Sequence, residues 1–296
     1  MASSLQLGVF YALLAGVIWG ISPLLFKRGL LSSNVSTGTL IEQTMSVVTL
    51  LVIVTAQTGL ALPEISAKAL LAFVAAGAVG ASFGKIFYYK GIDKVGASKA
   101  TSAKNSSPLL TAFLAVIVLG EELTFLILTG VILIVAGILV LTRVETKGEE
   151  RGGPLGYFLY PLVAAACFGV NPIFKKLGVD TGSLPTVGAA IAQITGLAVM
   201  LTAGRFLNVK PKWERVPALS FFYFGLAGIL EALGSLFTFY ALIHAPAILV
   251  SPIWRISPLV TFVLARFTLR GIEVVTFRDG VAASFIVCGI FVLTWG

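Results

Sequence analysis

The chain has 296 residues, of which 57% are hydrophobic and only 11% charged, and its formal net charge is +8. One soluble core cannot hold so many apolar side chains without a very large exposed apolar surface, so the composition excludes an ordinary soluble domain and indicates a membrane protein. Loops next to a membrane surface explain the excess of Lys and Arg, and no nucleic acid is expected as a partner.

Apolar runs of about 20 residues, the length that crosses a bilayer as a helix, recur along the chain. The first has no Lys or Arg before it and is longer than a signal-peptide core, so we expect no cleavage there. Five runs lie near residues 6–27, 37–58, 68–89, 97–119 and 122–142. Five more lie near 154–175, 185–204, 216–241, 247–269 and 275–295. The pattern predicts an all-α polytopic membrane protein with about ten transmembrane helices.

One long charged stretch, RVETKGEERGG at residues 143–153, interrupts this series of apolar runs. It separates residues 1–142, with the first five predicted spans, from residues 154–296, with the other five. We therefore predict two domains joined by a charged linker loop.

The two halves resemble each other in sequence. YALLAGVIWGISPLLFKRGL from Tyr11 matches YPLVAAACFGVNPIFKKLGV from Tyr160, and SPLLTAFLAVIVL from Ser107 matches SPLVTFVLARFTL from Ser257. Because each half has an odd number of predicted spans, the second copy enters the membrane from the opposite side. Two inverted five-helix repeats are typical of transporters that work by alternating access.

Five charged residues fall within predicted spans, where each costs about 2.5 to 3.5 kcal/mol on insertion scales unless it is paired or hydrated. Counting about 1.5 Å per helical residue places Glu231 and Arg255 near the midplane, where equal depth allows an ion pair, so Glu231 is either the partner of Arg255 or a proton site. The same count places Glu42, Lys85 and Lys104 in a second layer, nearer the Lys-rich face.

Each of these residues has a structural alternative. Lys85 either extends its ammonium to the interface or faces a cavity. Lys104 shares a helical face with Thr101 and Pro108, which favours a water-filled cavity. Arg255 and its predicted partner form either a structural pair or part of a binding site.

Prolines within spans remove backbone hydrogen bonds and predict kinks or breaks. They are Pro23, Pro108, Pro172 and Pro258. Broken helices at matching positions of two repeats favour a binding site between them, although a kink can also serve packing alone. Ser22 and Asn171 precede two of these prolines at equivalent positions, and both can hydrogen-bond to backbone or to a ligand.

A polar line on one helical face, Glu231, Ser235 and Thr238, completes the candidate cavity. Trp19, Tyr88, Tyr240 and Trp254 are its candidate aromatic walls, and Asn105 aligns with Arg255 of the other repeat. The candidate substrate-binding residues are Arg255, Lys104, Asn105, Glu231, Ser235, Trp254, Trp19, Asn171 and Tyr88. Glu231 and Glu42 are the candidate proton-coupling residues.

Signatures of soluble enzymes are missing from the sequence. The single histidine, His244, and the two cysteines, Cys167 and Cys288, have no metal-ligand spacing. No phosphate-binding loop is present, so ATP is not expected to drive the protein directly. We expect neither catalysis, nor a cofactor, nor a metal.

The stretch FYYKGIDKVGASKATSAKNSSPLLTAFLAVIVLGEELTFLILTGVILIVAGILVL (87–141) resembles the fourth and fifth spans of EamA-type members of the drug/metabolite transporter superfamily. The resemblance includes the proline and the turn at Gly120 and Glu121; the second copy, at Gly271 and Glu273, is looser. It implies ten spans in two five-span repeats and transport of small metabolites, but it does not identify the substrate.

Loop charges and the resemblance imply opposite orientations. Most Lys and Arg fall in the loops after the odd-numbered spans, which predicts that these loops are cytoplasmic and both termini outside, whereas the resemblance implies cytoplasmic termini. Only Lys68, Lys175 and Lys176 fall on the other side. The majority group is Lys27, Arg28, Lys90, Lys94, Lys99, Arg143, Lys147, Arg151, Arg205, Lys210, Lys212, Arg215, Arg266, Arg270 and Arg278.

The sequence thus predicts a plasma-membrane secondary transporter of small organic metabolites. The solute is expected to be anionic or zwitterionic, such as an amino acid, because cations outnumber acids within the spans. Membrane lipids, the solute and either a proton or a counter-solute are the expected partners, with the protein a monomer or a homodimer. The alternatives are proton-coupled efflux of lipophilic cationic drugs and, from another class, a membrane-embedded lipid-handling enzyme or scaffold.

Overall fold

The computed structural model describes residues 2–59, 63–95, 97–142, 155–206, 216–268 and 277–295, and every regular element in these ranges is helical. The first half forms α1 Ala2–Gly29, α2 Val35–Thr58, α3 Ala67–Ala76, α4 Lys85–Val95, α5 Ala97–Asn105, α6 Ser107–Leu114 and α7 Phe125–Thr142. The second half forms α8 Leu159–Val179, α9 Pro185–Phe206, α10 Ala218–His244, α11 Ala247–Trp254, α12 Ser257–Thr268 and α13 Phe277–Trp295. The predicted linker at 143–153 lies outside the described residues.

Seven helical segments in the described chain are long and apolar enough to cross a bilayer. They are Ser3–Ser32, Val35–Thr58, Ala67–Val95, Gly156–Val179, Pro185–Thr202, Ala218–His244 and Ala247–Leu264. Three shorter apolar helices cover Ala103–Leu119, Phe125–Val140 and Gly280–Thr294. A helix satisfies its backbone N–H and C=O groups internally, which the hydrocarbon interior demands. The all-helical class predicted from the sequence is confirmed.

The third apolar segment is not a uniform α-helix. A π-helical stretch at Gly77–Gly84 joins α3 to α4, and a second one at Ala115–Leu119 extends α6. In π-helical turns the hydrogen bond spans five residues instead of four, so the side chains that follow are rotated relative to a continuous α-helix. This rotation affects the direction of Lys85, the first residue of α4.

Side chains cap the N-termini of α2 and α11. Asn34 caps α2 by accepting a hydrogen bond from the backbone N–H of Thr37 at 2.9 Å. Glu121 follows Gly120, whose φ of +68° suits glycine, and its two carboxylate oxygens accept from the first backbone N–H groups of α11. The donors are Ala247 at 2.7 Å and Ile248 at 2.8 Å. This contact therefore joins the first half of the chain to the second, and burial raises the pKa of the Glu121 carboxyl, against the opposing effect of the two N–H groups.

Equivalent residues of the two halves make reciprocal packing contacts. A Cβ added at Gly38 would lie 2.6 Å from the ring of Phe224, and one at Gly188 would lie 2.7 Å from the ring of Phe73. Both phenylalanines are fully buried. Each half thus presents a glycine to the phenylalanine of the other half.

The same reciprocity appears in hydrogen bonds between helices. Thr111 of α6 donates to the backbone carbonyl of Gly169 in α8 at 2.8 Å, and Thr261 of α12 donates to that of Gly20 in α1 at 2.7 Å. Helix α1 packs against α10 and α12, as α8 packs against α3 and α6, and α7 packs against α13. The bundle therefore consists of two similar halves whose contacts mirror each other.

Candidate functional site

A cavity of about 840 Å³ lies between the two halves. Ser235 and Trp254, both buried, line it near the centre of the bundle. Lys27 and Val35 line it at one membrane face, where α1 ends and α2 begins. The cavity therefore extends from the middle of the bundle toward that one face.

Two interrupted helices meet this cavity at equivalent positions. Helix α5 ends at Asn105 and α11 ends at Trp254, and the next helices carry Pro108 and Pro258 at their second positions. A proline has no N–H to continue the preceding helix, but it is well accommodated in a first helical turn. The predicted interruptions are present at these two prolines.

The other two predicted kinks are not breaks. Pro23 lies within the continuous helix α1, and Pro172 lies within the continuous helix α8. Both residues nevertheless line the cavity. A proline inside a membrane helix is tolerated because neighbouring helices compensate for the lost backbone bond.

The residues that precede these two prolines connect the halves. Asn171 donates its side-chain N–H to the backbone carbonyl of Ala76 at 2.7 Å, and Ser22 donates to that of Ala227 at 3.4 Å. Asn171 and Ser22 both line the cavity. Of the two roles that the sequence left open for them, the structure shows hydrogen bonds to backbone.

Lys85 and Glu231 form an ion pair in the cavity wall, with 3.2 Å between Nζ and Oε1. Lys85 also donates to Oε1 of Gln43 at 3.3 Å, and both charged side chains are 16% exposed. Of the two roles left open for Glu231, partner of Arg255 or proton site, the pair with Arg255 is wrong, because Glu231 pairs with Lys85. Lys85 faces the cavity, so the alternative in which it reaches the interface is also wrong.

Lys104 and Arg255 both contact the aromatic ring of Phe168. The ring centroid of Phe168 is 5.3 Å from Lys104 Nζ and 5.2 Å from Arg255 Cζ, and Arg255 Nη2 donates to the Phe168 carbonyl at 3.4 Å. Lys104 Nζ also lies 4.7 Å from the ring centroid of Tyr88. These cation–π contacts leave both charges free for an anion, because no carboxylate of the described residues lies within ion-pair distance of either.

Two buried hydrogen-bond donors in the cavity wall have no partner among the described residues. They are Nδ2 of Asn105, a residue 3% exposed, and Nε1 of Trp19, which lies against Gly234. Buried donors of this kind are normally satisfied. Both N–H groups lie beneath the cavity surface, so neither is exposed to a solute in this conformation.

Lys175 belongs to this cavity, although the sequence analysis assigned it to a loop. It is only 7% exposed, donates to Oγ1 of Thr238 at 2.8 Å and lies 4.8 Å from the ring centroid of Phe239. The predicted span ended at residue 175, but α8 continues to Val179, so Lys175 lies one turn inside the helix.

Glu42 lines the cavity from α2 and is 9% exposed. Within the described residues, no ion pair or hydrogen bond involves its carboxylate. Lys85 lies close enough to interact electrostatically with both Glu42 and Glu231. Lys104 also interacts electrostatically with both acids, so Glu42 and Glu231 lie in the field of more than one lysine.

Two residues of the predicted polar line and aromatic wall lie elsewhere. Thr238 is fully buried and holds Lys175 instead of lining the cavity. The ring of Tyr240 stacks on Tyr11 at a centroid distance of 5.3 Å, away from the cavity. The remaining candidates do line it: Arg255, Lys104, Asn105, Glu231, Ser235, Trp254, Trp19, Asn171, Tyr88 and Glu42. Gly271 and Glu273 lie outside the described residues.

Comparisons with known proteins agree with the architecture. The profile of the EamA-like transporter family matches residues 6–143 and, a second time, residues 155–295. A solved structure titled "Crystal structure of protein" superimposes with a TM-score of 0.77 over 97% of this chain and 98% of that one. At 16% sequence identity, this likeness shows a shared fold. No curated protein matches the sequence.

Proposed function

Because the chain belongs to the EamA-like transporter family, we propose that it is a secondary transporter of small organic solutes that works by alternating access. It is a membrane transporter of the drug/metabolite type, not an enzyme by family. In the proposed topology, about ten spans form two inverted repeats, residues 1–142 and 154–296, joined by the loop 143–153. The α5–α6 and α11–α12 pairs each supply one interrupted span.

The observation that carries this proposal is the position of the cavity. It lies between the two repeats, reaches one membrane face, and is lined by both interrupted helices. Transporters with inverted repeats bind their solutes at this kind of interface, where broken helices present polar groups near the midplane. Because the contacts between the halves are reciprocal, the halves can exchange their conformations, and the cavity would then open toward the other face.

The charge of the cavity favours an anionic or zwitterionic solute, such as an amino acid. Lys104 and Arg255 have no carboxylate partner in the described structure, and both line the cavity. Charge-assisted hydrogen bonds from such groups suit a carboxylate or a phosphate. Lipophilic cations would meet these charges unfavourably, and the acid Glu231 is already paired.

Liposomes that contain the purified protein test this function directly. Solute uptake is measured for a panel of radiolabelled anionic and zwitterionic metabolites, in counterflow with the same unlabelled compound. Arg255→Ala and Lys104→Ala should abolish uptake, whereas Lys94→Ala, whose ammonium is exposed and paired with Asp93, should not. Wild-type uptake by both cavity variants would overturn the assignment of these residues.

Glu42 is the acid that we propose for proton coupling. Glu231 already has a lysine partner, while the carboxylate of Glu42 has none among the described residues. A pH gradient across the liposome membrane should drive uptake by the wild-type protein but not by Glu42→Gln. If Glu42→Gln keeps gradient-driven uptake, the driving force is exchange with a counter-solute instead.

We propose that both termini lie outside the cell and that the cavity mouth faces the cytoplasm of a plasma-membrane protein. The sequence assigns the majority of Lys and Arg to the same side as Lys27, which lies at the mouth, and Lys175 no longer counts against this bias because it is buried in the bundle. The test uses single cysteines at Ser3 and Gly148 in a protein without Cys167 and Cys288. Labelling of Ser3→Cys, but not of Gly148→Cys, by an impermeant reagent on intact cells is expected; the reverse pattern would invert the topology.

A further inference from the structure

The cavity contains three cations without an acidic partner in the described structure, of which Lys175 is buried and the other two, Lys104 and Arg255, are half-buried. Lys104 and Arg255 both lie over the ring of Phe168, and the contacts of the Lys175 ammonium within the described residues are the hydroxyl of Thr238 and the ring of Phe239. All three line the same cavity. Lys27 also lines it but is exposed at the mouth, where water compensates its charge.

The acids of the cavity cannot neutralise these three charges. Glu231 already carries the ion pair with Lys85, so Glu42 is the one unpaired acid among the described lining residues. When the paired groups are set aside, an excess of two positive charges remains. Unpaired cations inside a membrane bundle are unfavourable, so the cavity has a strong electrostatic preference for added negative charge.

The unpaired cations occupy two separate places along α8. Phe168 marks the first, and Lys175, seven residues further on the same helix, is the second. The two positions lie about 10 Å apart along the helix axis and on nearly the same face. We call the first place the Phe168 pole and the second the Lys175 pole.

We propose that the solute is a small dianion with an anionic group at each end, of the dicarboxylate class, held between the Phe168 pole and the Lys175 pole. This inference rests on the proposed transport function and narrows its anionic or zwitterionic solutes to those with two negative charges. One anionic group accepts hydrogen bonds from Lys104 and Arg255 at the first pole. The other replaces part of the hydration of Lys175 and leaves its bond to Thr238 in place.

A series of six-carbon probes that differ only in charge tests the proposal. Adipate carries two carboxylates, its monoamide carries one, and 6-aminohexanoate is a zwitterion of nearly the same length. The thermal unfolding midpoint of the detergent-solubilised protein is measured at low-millimolar concentrations of each probe at constant ionic strength, with succinate and inorganic phosphate as shorter dianions. Ligands that bind the native state raise this midpoint.

Adipate is expected to raise the midpoint more than its monoamide, and 6-aminohexanoate least. Equal or greater stabilisation by 6-aminohexanoate would overturn the proposal, because it would show that the site prefers a compound without net charge. The absence of any stabilisation by adipate, succinate and phosphate would overturn it as well, since these compounds differ in length and in acidic group.

Variants of the Lys175 pole provide the specific test. Lys175→Met keeps a long apolar stem against Phe239, so it is expected to fold, and it should weaken adipate binding about tenfold, to the level of the monoamide. Binding of the monoamide at the Phe168 pole should stay unchanged. Lys176→Met is the matched control, because its ammonium pairs with Asp180 outside the cavity. An equal loss of adipate affinity in both variants, or no loss in Lys175→Met, would contradict the assignment of Lys175 to the second anionic group.

Flux measurements separate this inference from the proposed function. If liposomes exchange 6-aminohexanoate but not adipate, the protein is a transporter and the dianion proposal fails. If adipate binds as expected but no panel solute is transported, the charge assignment stands and the transport function fails. If the wild-type protein exchanges adipate and Lys175→Met does not, the result supports both the transport function and the dianion proposal.

Discussion

Gln43 donates a hydrogen bond from its side-chain Nε2 to Oε1 of Gln193 at 2.6 Å, inside the bundle. They occupy the same place in the two halves, as the last residue of GTLIEQ (38–43) and of GAAIAQ (188–193). Residues related by a two-fold axis can contact each other only close to that axis. The pair therefore marks where the axis that relates the repeats passes through the protein.

Replacing Gln43 by methionine should destabilise the protein by about 1 to 3 kcal/mol, because the Gln193 side-chain oxygen would stay buried without a donor. Gln43 is fully buried and Gln193 is 3% exposed. The double variant Gln43→Met/Gln193→Met should recover part of this loss, since it removes both polar groups. Denaturant unfolding in detergent measures the effect. The exposed Gln6→Met serves as control, and strictly additive single losses would contradict the pairing.

The ion pair of Lys85 and Glu231 is expected to behave as a buried pair. Lys85→Met should cost about 3 to 5 kcal/mol, because an acid would stay in the cavity wall without its partner. The double variant Lys85→Met/Glu231→Met should cost clearly less than the sum of the single changes. Thermal unfolding of the four proteins gives this comparison.

Lys94→Met provides the matched control for that cycle. Its ammonium pairs with Asp93 at 3.1 Å, but both side chains are well exposed, and its unfolding midpoint should stay at the wild-type value. Equal effects at Lys85 and Lys94 would show that burial does not strengthen the Lys85 pair.

Gly228 and Gly225 on α10 should respond differently to the same change. A Cβ at Gly228 would overlap the carbonyl oxygen of Glu42 and come within 2.7 Å of Met45, so Gly228→Ala should destabilise by about 1 to 3 kcal/mol. At Gly225 the nearest atom lies 3.8 Å away, so alanine should be neutral or stabilise by up to about 1 kcal/mol. The thermal unfolding midpoints of the two variants test this difference. Equal midpoints would contradict the close approach of α2 and α10.

Glu121 should matter more than its neighbour Glu122. Glu121→Ala removes both acceptors at the N-terminus of α11 and should cost about 1 to 2 kcal/mol. Glu122 is exposed, so Glu122→Ala is the control and should have little effect. Hydrogen exchange at the first amides of α11 should also accelerate in the Glu121 variant alone. Unchanged exchange would show that the carboxylate does not cap this helix.

The parts of the structure that local rules govern were predictable from the sequence. Apolar runs of about 20 residues identify spanning helices because bilayer thickness sets their length. Similarly, the interruptions before Pro108 and Pro258 follow from the missing N–H of proline. Matching residues in the two halves also located Asn105 and Arg255 at equivalent breaks.

Contacts between helices were not predictable in the same way. Depth along a span follows from residue counting, but the direction of a side chain depends on helix rotation, and the π-helical turns at Gly77–Gly84 change that rotation just before Lys85. Glu231 therefore meets Lys85 instead of Arg255. Lys175 was missed because an error of four residues in the end of α8 moves a lysine from a loop to the bundle interior.

The reciprocal packing of Phe224 on Gly38 and of Phe73 on Gly188 has a thermodynamic consequence. When two inverted repeats exchange their conformations, the same kinds of contacts are broken on one side and made on the other, so the two end states differ little in free energy. Differences between equivalent positions then set the relative populations of the two end states. One such difference is that Asn105 lies at one helix interruption and Arg255 at the other. A bound anion that contacts these two residues differently in the two end states shifts their populations by the difference between its affinities for them.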